Sequence, residues 1–225
     1  MSRRRAFAAW AVGVLCAVVG ATACGSSGHA LAGSGVTTAS SAPAQPTLVV
    51  FGDNASAPVD DSIPVGQTWP QVFFRDALSR NTVFVNLSTQ PASAHVALDV
   101  ELPQARQLHP TVAAILIGFV DVDEGDPPVD FGHALDALVT DLRGDGVHTV
   151  LMGTLPDAIH GVTSYNEQIA HVANNDSAVL VDLAALHLTF VHNPNDFTPV
   201  PDAASQRAIG DAFTAAYRAA TSASP

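Results

Sequence analysis

From residue 47 onward, short apolar runs alternate with segments of helical periodicity, and this alternation constrains the fold more than any other feature. The strand candidates are Leu48–Phe51, Thr82–Leu87, Val112–Ile117, His148–Met152 and Ala178–Leu183. Several are continuous β-branched or aliphatic stretches, the pattern of parallel strands covered on both faces. Between them, Trp69, Val72, Phe73 and Ala77 share one helical face, as do Phe131, Leu135, Leu138 and Leu142. Ile209, Ala212, Phe213, Ala216 and Tyr217 give the last segment an apolar stripe. Five strands alternating with helices predict an α/β, three-layer, doubly wound domain with a five-stranded parallel sheet. A site in such a domain lies at the carboxyl ends of the strands, here the loops after Phe51, Leu87, Ile117 and Leu183.

The segment before this body has a different character. Arg3, Arg4 and Arg5 precede an uncharged apolar run, Ala6 to Gly20, and small residues lead into Cys24. The run is short for a membrane span, so residues 1–24 read as an export signal. Ala21-Thr22-Ala23-Cys24 resembles a bacterial lipobox, which would make Cys24 a lipid anchor; the alternative is ordinary cleavage after Ala23. Arg4-Arg5-Ala6-Phe7 also resembles a twin-arginine signal, and the sequence leaves the export route open. Residues 25–46, rich in Gly, Ser, Thr, Ala and Pro, read as a flexible linker, which leaves 47–225 as one domain of about 180 residues. The expected location is therefore the outer face of the cell membrane, or outside the cell.

Cys16 would depart with the signal, leaving Cys24 alone, so the body has neither a disulfide nor a Cys-based metal site. The formal charge is −12, becomes −15 without the three signal arginines, and includes no lysine. That surface disfavours nucleic acid and polybasic attachment to anionic lipid, so membrane contact is expected only through the N-terminal lipid.

Five blocks resemble the SGNH, or GDSL-type, hydrolases, a superfamily of α/β esterases and lipases. The first is Val49-Val50-Phe51-Gly52-Asp53-Asn54, similar to a V-x-F-G-D-S block, followed by Trp69-Pro70 opening a helix. Asn86 to Ala92 looks like the second block, Ile115 to Asp121 like I-x-x-G-x-N-D, and Tyr165 to Ile169 like the helix start before the last strand. Phe197 to Ser205 looks like the closing D-x-x-H-P segment. The resemblance covers residues 47–220 and implies the flavodoxin-like, SGNH-hydrolase version of the doubly wound fold.

The chemistry does not carry over. The resemblance puts the nucleophilic Ser at Asn54, an amide that no base activates. The oxyanion-hole Gly falls at Pro91, which has no N–H, or at Gln90 if the loop is shifted by one residue; the oxyanion-hole Asn falls at Val120. The catalytic His falls at Val200, and the Asp at Phe197, with Asp196 one residue out of register. A relocated set of Ser56, His192 and Asp196 is the alternative, because triads are defined by geometry and not by order. The plainer reading makes Ser56 a solvated loop serine and His192 a surface residue. Asp121, Asp123, Glu124, Asp126 and Asp130 crowd the loop after the third strand, and Asp53, Asp60 and Asp61 that after the first. Asp121, Asp123 and Asp126 are a weak hard-cation candidate without the spacing of an EF-hand; a solvated acidic loop is the ordinary reading. No cofactor is expected.

The sequence thus points to an exported esterase-like body without its catalytic groups, binding an envelope glycan, an acyl group or an envelope protein. The alternative is an active esterase with relocated residues. Asp53, Asn54, Gln90, Asp121 and Thr198 are expected to line a shallow cleft favouring neutral or cationic ligands.

Overall fold

The computed structural model describes residues 45–57, 63–191 and 200–222. Cys24, the rest of the expected export segment, Asp60, Asp61, His192, Asp196, Phe197 and Thr198 lie outside them.

The five expected strands all form: β1 (Thr47–Gly52), β2 (Val83–Asn86), β3 (Val112–Leu116), β4 (Thr149–Gly153) and β5 (Val179–Val181). They pair in parallel in the order β2-β1-β3-β4-β5. Burial follows position in the sheet. Central β1 and β3 are buried along their whole length, while Val83 on one edge and Leu180 on the other are exposed. The chain leaves β1 for one edge and returns past it to β3. The order therefore reverses beside β1, and in open sheets of this kind the carboxyl ends of the strands at such a reversal are where ligands bind.

Two helical layers cover the sheet. On one side α1 (Trp69–Ala77) packs along α7 (Ala203–Ser222), with Trp69 stacked on Phe213 at 4.4 Å and Phe73 against both Phe213 and Tyr217. Gly210 makes this approach possible, because a Cβ there would lie 2.5 Å from Val72 Cγ1. The other layer contains α5 (Pro128–Gly144) and α6 (Thr163–Asn175), which pack on each other. Phe131, Leu135, Leu138 and Leu142 are buried as their spacing predicts.

Three features depart from the sequence reading. Residues 94–108, for which no helix was expected, form α2 (Ala94–Val96), a π-helical turn (Ala97–Glu101) and α3 (Leu102–Leu108). Pro103 and the alanines at positions 94, 97 and 105 weaken the apolar signal there. The acidic loop after β3 is instead a short helix, α4 (Phe119–Glu124), ended by Gly125 in the left-handed region at φ 72°. Finally, β6 (Phe190–Val191) and β7 (Val200–Pro201) make a small antiparallel pair.

Candidate functional site

The candidate site starts where β1 stops. Gly52 is obligatory: a Cβ there would meet Ser56 Oγ at 2.4 Å and the Leu116 carbonyl at 2.5 Å. The chain then turns over residues 53–57, closed by Ser56 N and Ala57 N donating to the Asp53 carbonyl at 2.9 and 3.0 Å. Asn54 sits within this turn and is 1% exposed.

Three buried carboxylates tie the surrounding loops together. Asp53 Oδ1 accepts from Ala55 N at 3.1 Å, and Oδ2 accepts from Gly118 N at 3.1 Å and Phe119 N at 2.8 Å. It therefore joins the end of β1 to the start of α4. Asp121 accepts from Ala94 N through both oxygens, at 3.0 and 3.2 Å, and so joins α4 to α2. Glu101 Oε2 accepts from Gly52 N at 3.2 Å, while Oε1 accepts from Thr89 N at 3.2 Å and Thr89 Oγ1 at 3.4 Å. That carboxylate joins the π-helical turn to β1 and to the loop after β2.

None of the three forms a salt bridge among the described residues. Burial accordingly dominates their titration. It pushes Asp53 up to about 7, against the opposing hydrogen bonds from Ala55, Phe119 and Gly118 and with added repulsion from Asp121. Burial likewise raises Glu101 to about 8 and Asp121 to about 6, in each case against hydrogen bonds that favour the ionised form.

A second network fixes the turn to the α1–α7 layer. Trp69 Nε1 donates to Ser56 Oγ at 3.1 Å, and that hydroxyl donates to the Leu116 carbonyl at 3.3 Å. Gln206 Oε1 accepts from Trp69 N at 2.7 Å while Gln206 Nε2 donates to the Ala55 carbonyl at 3.0 Å. Asn86 Nδ2 donates to the Ser56 carbonyl at 2.8 Å. The Asn86, Trp69 and Asp53 positions of the sequence blocks are therefore scaffold, holding the turn from three sides.

Several sequence expectations change here. Asp53, Asn54 and Asp121 do come together at the carboxyl edge, but they are buried, and the carboxylates of Asp53 and Asp121 point into backbone donors instead of an open cleft. Gln90 and Pro91 are exposed. Val120, in α4, and Val200, in β7, are buried. Ser56 is no solvated loop serine. It is 0% exposed, with its hydroxyl engaged on both sides, while His192 and Asp196 lie outside the described residues. The cation candidate also separates, since Asp121 faces inward on α4 while Asp123 is exposed. Among the described residues no group of three or more His, Cys, Asp or Glu could hold a metal ion.

Glu101 is the site residue that sequence reasoning missed. Ala94, Ala97, Glu101 and Ala105 recur at helical spacing and are all buried, so an acid on a face of small residues was the available signal.

No protein-family model matches the chain, and no curated protein matches it in sequence. Solved structures do match. TesA is 19% identical with a TM-score of 0.63, over 77% of this chain and 98% of that one. A lipolytic protein of the G-D-S-L family from Desulfitobacterium hafniense is 15% identical with a TM-score of 0.60, over 76% of this chain and 98% of that one. A catalytic mutant of Axe2, an acetylxylan esterase from Geobacillus stearothermophilus, is 14% identical with a TM-score of 0.60, over 76% and 94%. With its strand order, its turn after β1 and these likenesses together, the chain has the fold of the SGNH/GDSL hydrolases.

Proposed function

We propose that this is an exported, lipid-anchored protein whose SGNH-hydrolase-like body is catalytically inactive and serves as a binding or docking domain in the cell envelope. The observation that carries the reading is Asn54: an amide, buried, in the turn after β1 where the resemblance puts the nucleophile. An amide nitrogen shares its lone pair with the carbonyl, so no neighbouring base makes it attack an ester. The positions of the oxyanion-hole Asn and the base support the same reading, because Val120 and Val200 bring buried hydrocarbon where a donor and a proton acceptor are needed. Loss of one oxyanion donor alone lowers turnover by a factor of about a hundred or more. The turn is meanwhile held by Asn86, Trp69 and Gln206, so its shape is kept.

If the body did hydrolyse a substrate, the structural neighbours point to a carboxylic ester. The relocated set would need Ser56, and its burial between Trp69 and Leu116 argues against that alternative. The envelope ligand follows by analogy of fold and location: a glycan, an acyl group or another envelope protein. Assay of short-chain p-nitrophenyl esters tests the inactive reading, with no turnover above buffer expected. Turnover that survives repurification and disappears in an Asn54→Ala variant would overturn it.

A further inference from the structure

Beyond the export segment the chain has six arginines and no lysine. Four of the six, Arg75, Arg80, Arg207 and Arg218, belong to α1, the loop that follows it, and α7. The carboxylates on those two helices are Asp76 and Asp211. A chain of net charge −12 therefore carries a cationic face on its α1–α7 layer.

That face contains a cavity of about 230 Å³ lined by Gly66, Gln67, Val72, Arg75, Ala203 and Arg207. Asp76 holds its two guanidiniums in place. Asp76 Oδ1 accepts from Arg75 Nε at 3.3 Å, and Oδ2 lies 3.0 Å from Arg207 Nη2. Arg75 Nη1 is further fixed by the Gly66 carbonyl at 3.1 Å, and Arg207 by Asp211 at 2.8 and 3.0 Å. Arg218 Nη2 reaches the Asp76 carbonyl at 2.6 Å. These bonds leave Arg75 Nη2 and Arg207 Nη1 without a partner among the described residues.

Exposed ion pairs contribute little to stability, so this network has little effect on folding. It does pre-order two planar donor groups beside one cavity, which lowers the ordering cost of binding there. The four arginines of this face, against Asp76, Asp211 and Asp202, which caps α7 through Ser205 N, leave one positive charge. Such a balance suits a ligand with a single negative charge.

We propose that the cavity between Gly66, Arg75 and Arg207 binds a singly charged oxyanion, held by the two free guanidinium donors. The inference does not depend on whether ester hydrolysis survives. It is tested by following the amide signals of Gly66, Arg75, Ala203 and Arg207 during titration of the 45–225 region of the full chain with dimethyl phosphate and with acetate. Ionic strength is held constant with chloride. Saturable shifts are expected at these amides, with none at Arg106, whose guanidinium is spent on Asp141 and Asp145. Arg207→Gln should weaken binding at least fivefold. Asp211→Asn, which releases Arg207 from its competing carboxylate, should tighten it. Opposite effects of the two substitutions cannot come from misfolding. Vesicles of phosphatidylglycerol distinguish the source: shifts with dimethyl phosphate alone mark a soluble ligand, and added binding to these vesicles but not to phosphatidylcholine marks a lipid headgroup, either of which supports the site. Linear, unsaturated shifts equal to those from chloride would overturn it, as would affinity unchanged in both variants.

Discussion

The Trp69 indole donates a 3.1 Å hydrogen bond to the hydroxyl of Ser56, two residues beyond the position where the resemblance puts a nucleophile. Ser56→Ala leaves that indole N–H buried with no acceptor. The expected cost is about 1–3 kcal/mol of stability, read as a lower midpoint of denaturant unfolding with an unchanged slope. A relocated triad would give the opposite pattern, with stability nearly intact and an ester-hydrolysing activity abolished.

Stability should fall as pH rises. Asp53, Glu101 and Asp121 are raised by burial to about 7, about 8 and about 6, from ordinary values of 3.8, 4.5 and 3.8. Each folded-state value exceeds the unfolded one, so the folded protein holds more protons than the unfolded chain between them. Their contribution is therefore fully present below about pH 4 and is lost progressively up to about pH 8. Urea unfolding from pH 4 to 9 should show this decline, and Glu101→Gln should flatten its upper part. A stability that rises across the same window would contradict burial as the dominant cause.

Gly210 is needed for α1 and α7 to meet. A methyl there would sit 2.5 Å from Val72 Cγ1 and 3.1 Å from the Trp69 carbonyl. Gly210→Ala should cost about 1–3 kcal/mol through overpacking, despite the better helix propensity of alanine. Adding Val72→Ala should recover part of that loss, which a thermal-unfolding cycle of the two substitutions will measure.

The anchoring proposal makes a separate prediction. With Cys24 lipidated, the mature protein should partition into detergent, and Cys24→Ala should release it in soluble form. Membrane association unchanged in that variant would remove the lipid anchor.

The fold was legible because β1, β3 and β4 are central strands of a parallel sheet, and central strands write themselves as unbroken apolar runs. The α1, α5 and α7 stripes were legible for a related reason, as each helix buries one face on that sheet. The carboxylates were not. A sequence shows Asp53, Asp121 and Glu101 as charges, and charges read as solvent-facing; their partners are backbone N–H groups from residues 89, 94, 118 and 119, which carry no sequence signature. The same holds for Ser56, whose surroundings are Ala and Asn but whose hydroxyl meets a tryptophan 13 residues away and a carbonyl 60 residues away. What the sequence offered at the site was a resemblance that puts Asn54, Val120 and Val200 where catalytic groups are expected, and those positions carry the functional proposal.

The most direct test of that proposal is treatment of the purified protein with a fluorophosphonate, followed by intact-mass measurement, alongside an Asn54→Ser variant. A fluorophosphonate reacts with an activated serine and reports catalytic competence without knowledge of the substrate. Neither protein should gain mass, because the resemblance puts Val200 at the position of the base and Val120 at that of the oxyanion donor, and both are buried hydrocarbon. Stoichiometric labelling of the unsubstituted protein would contradict the account.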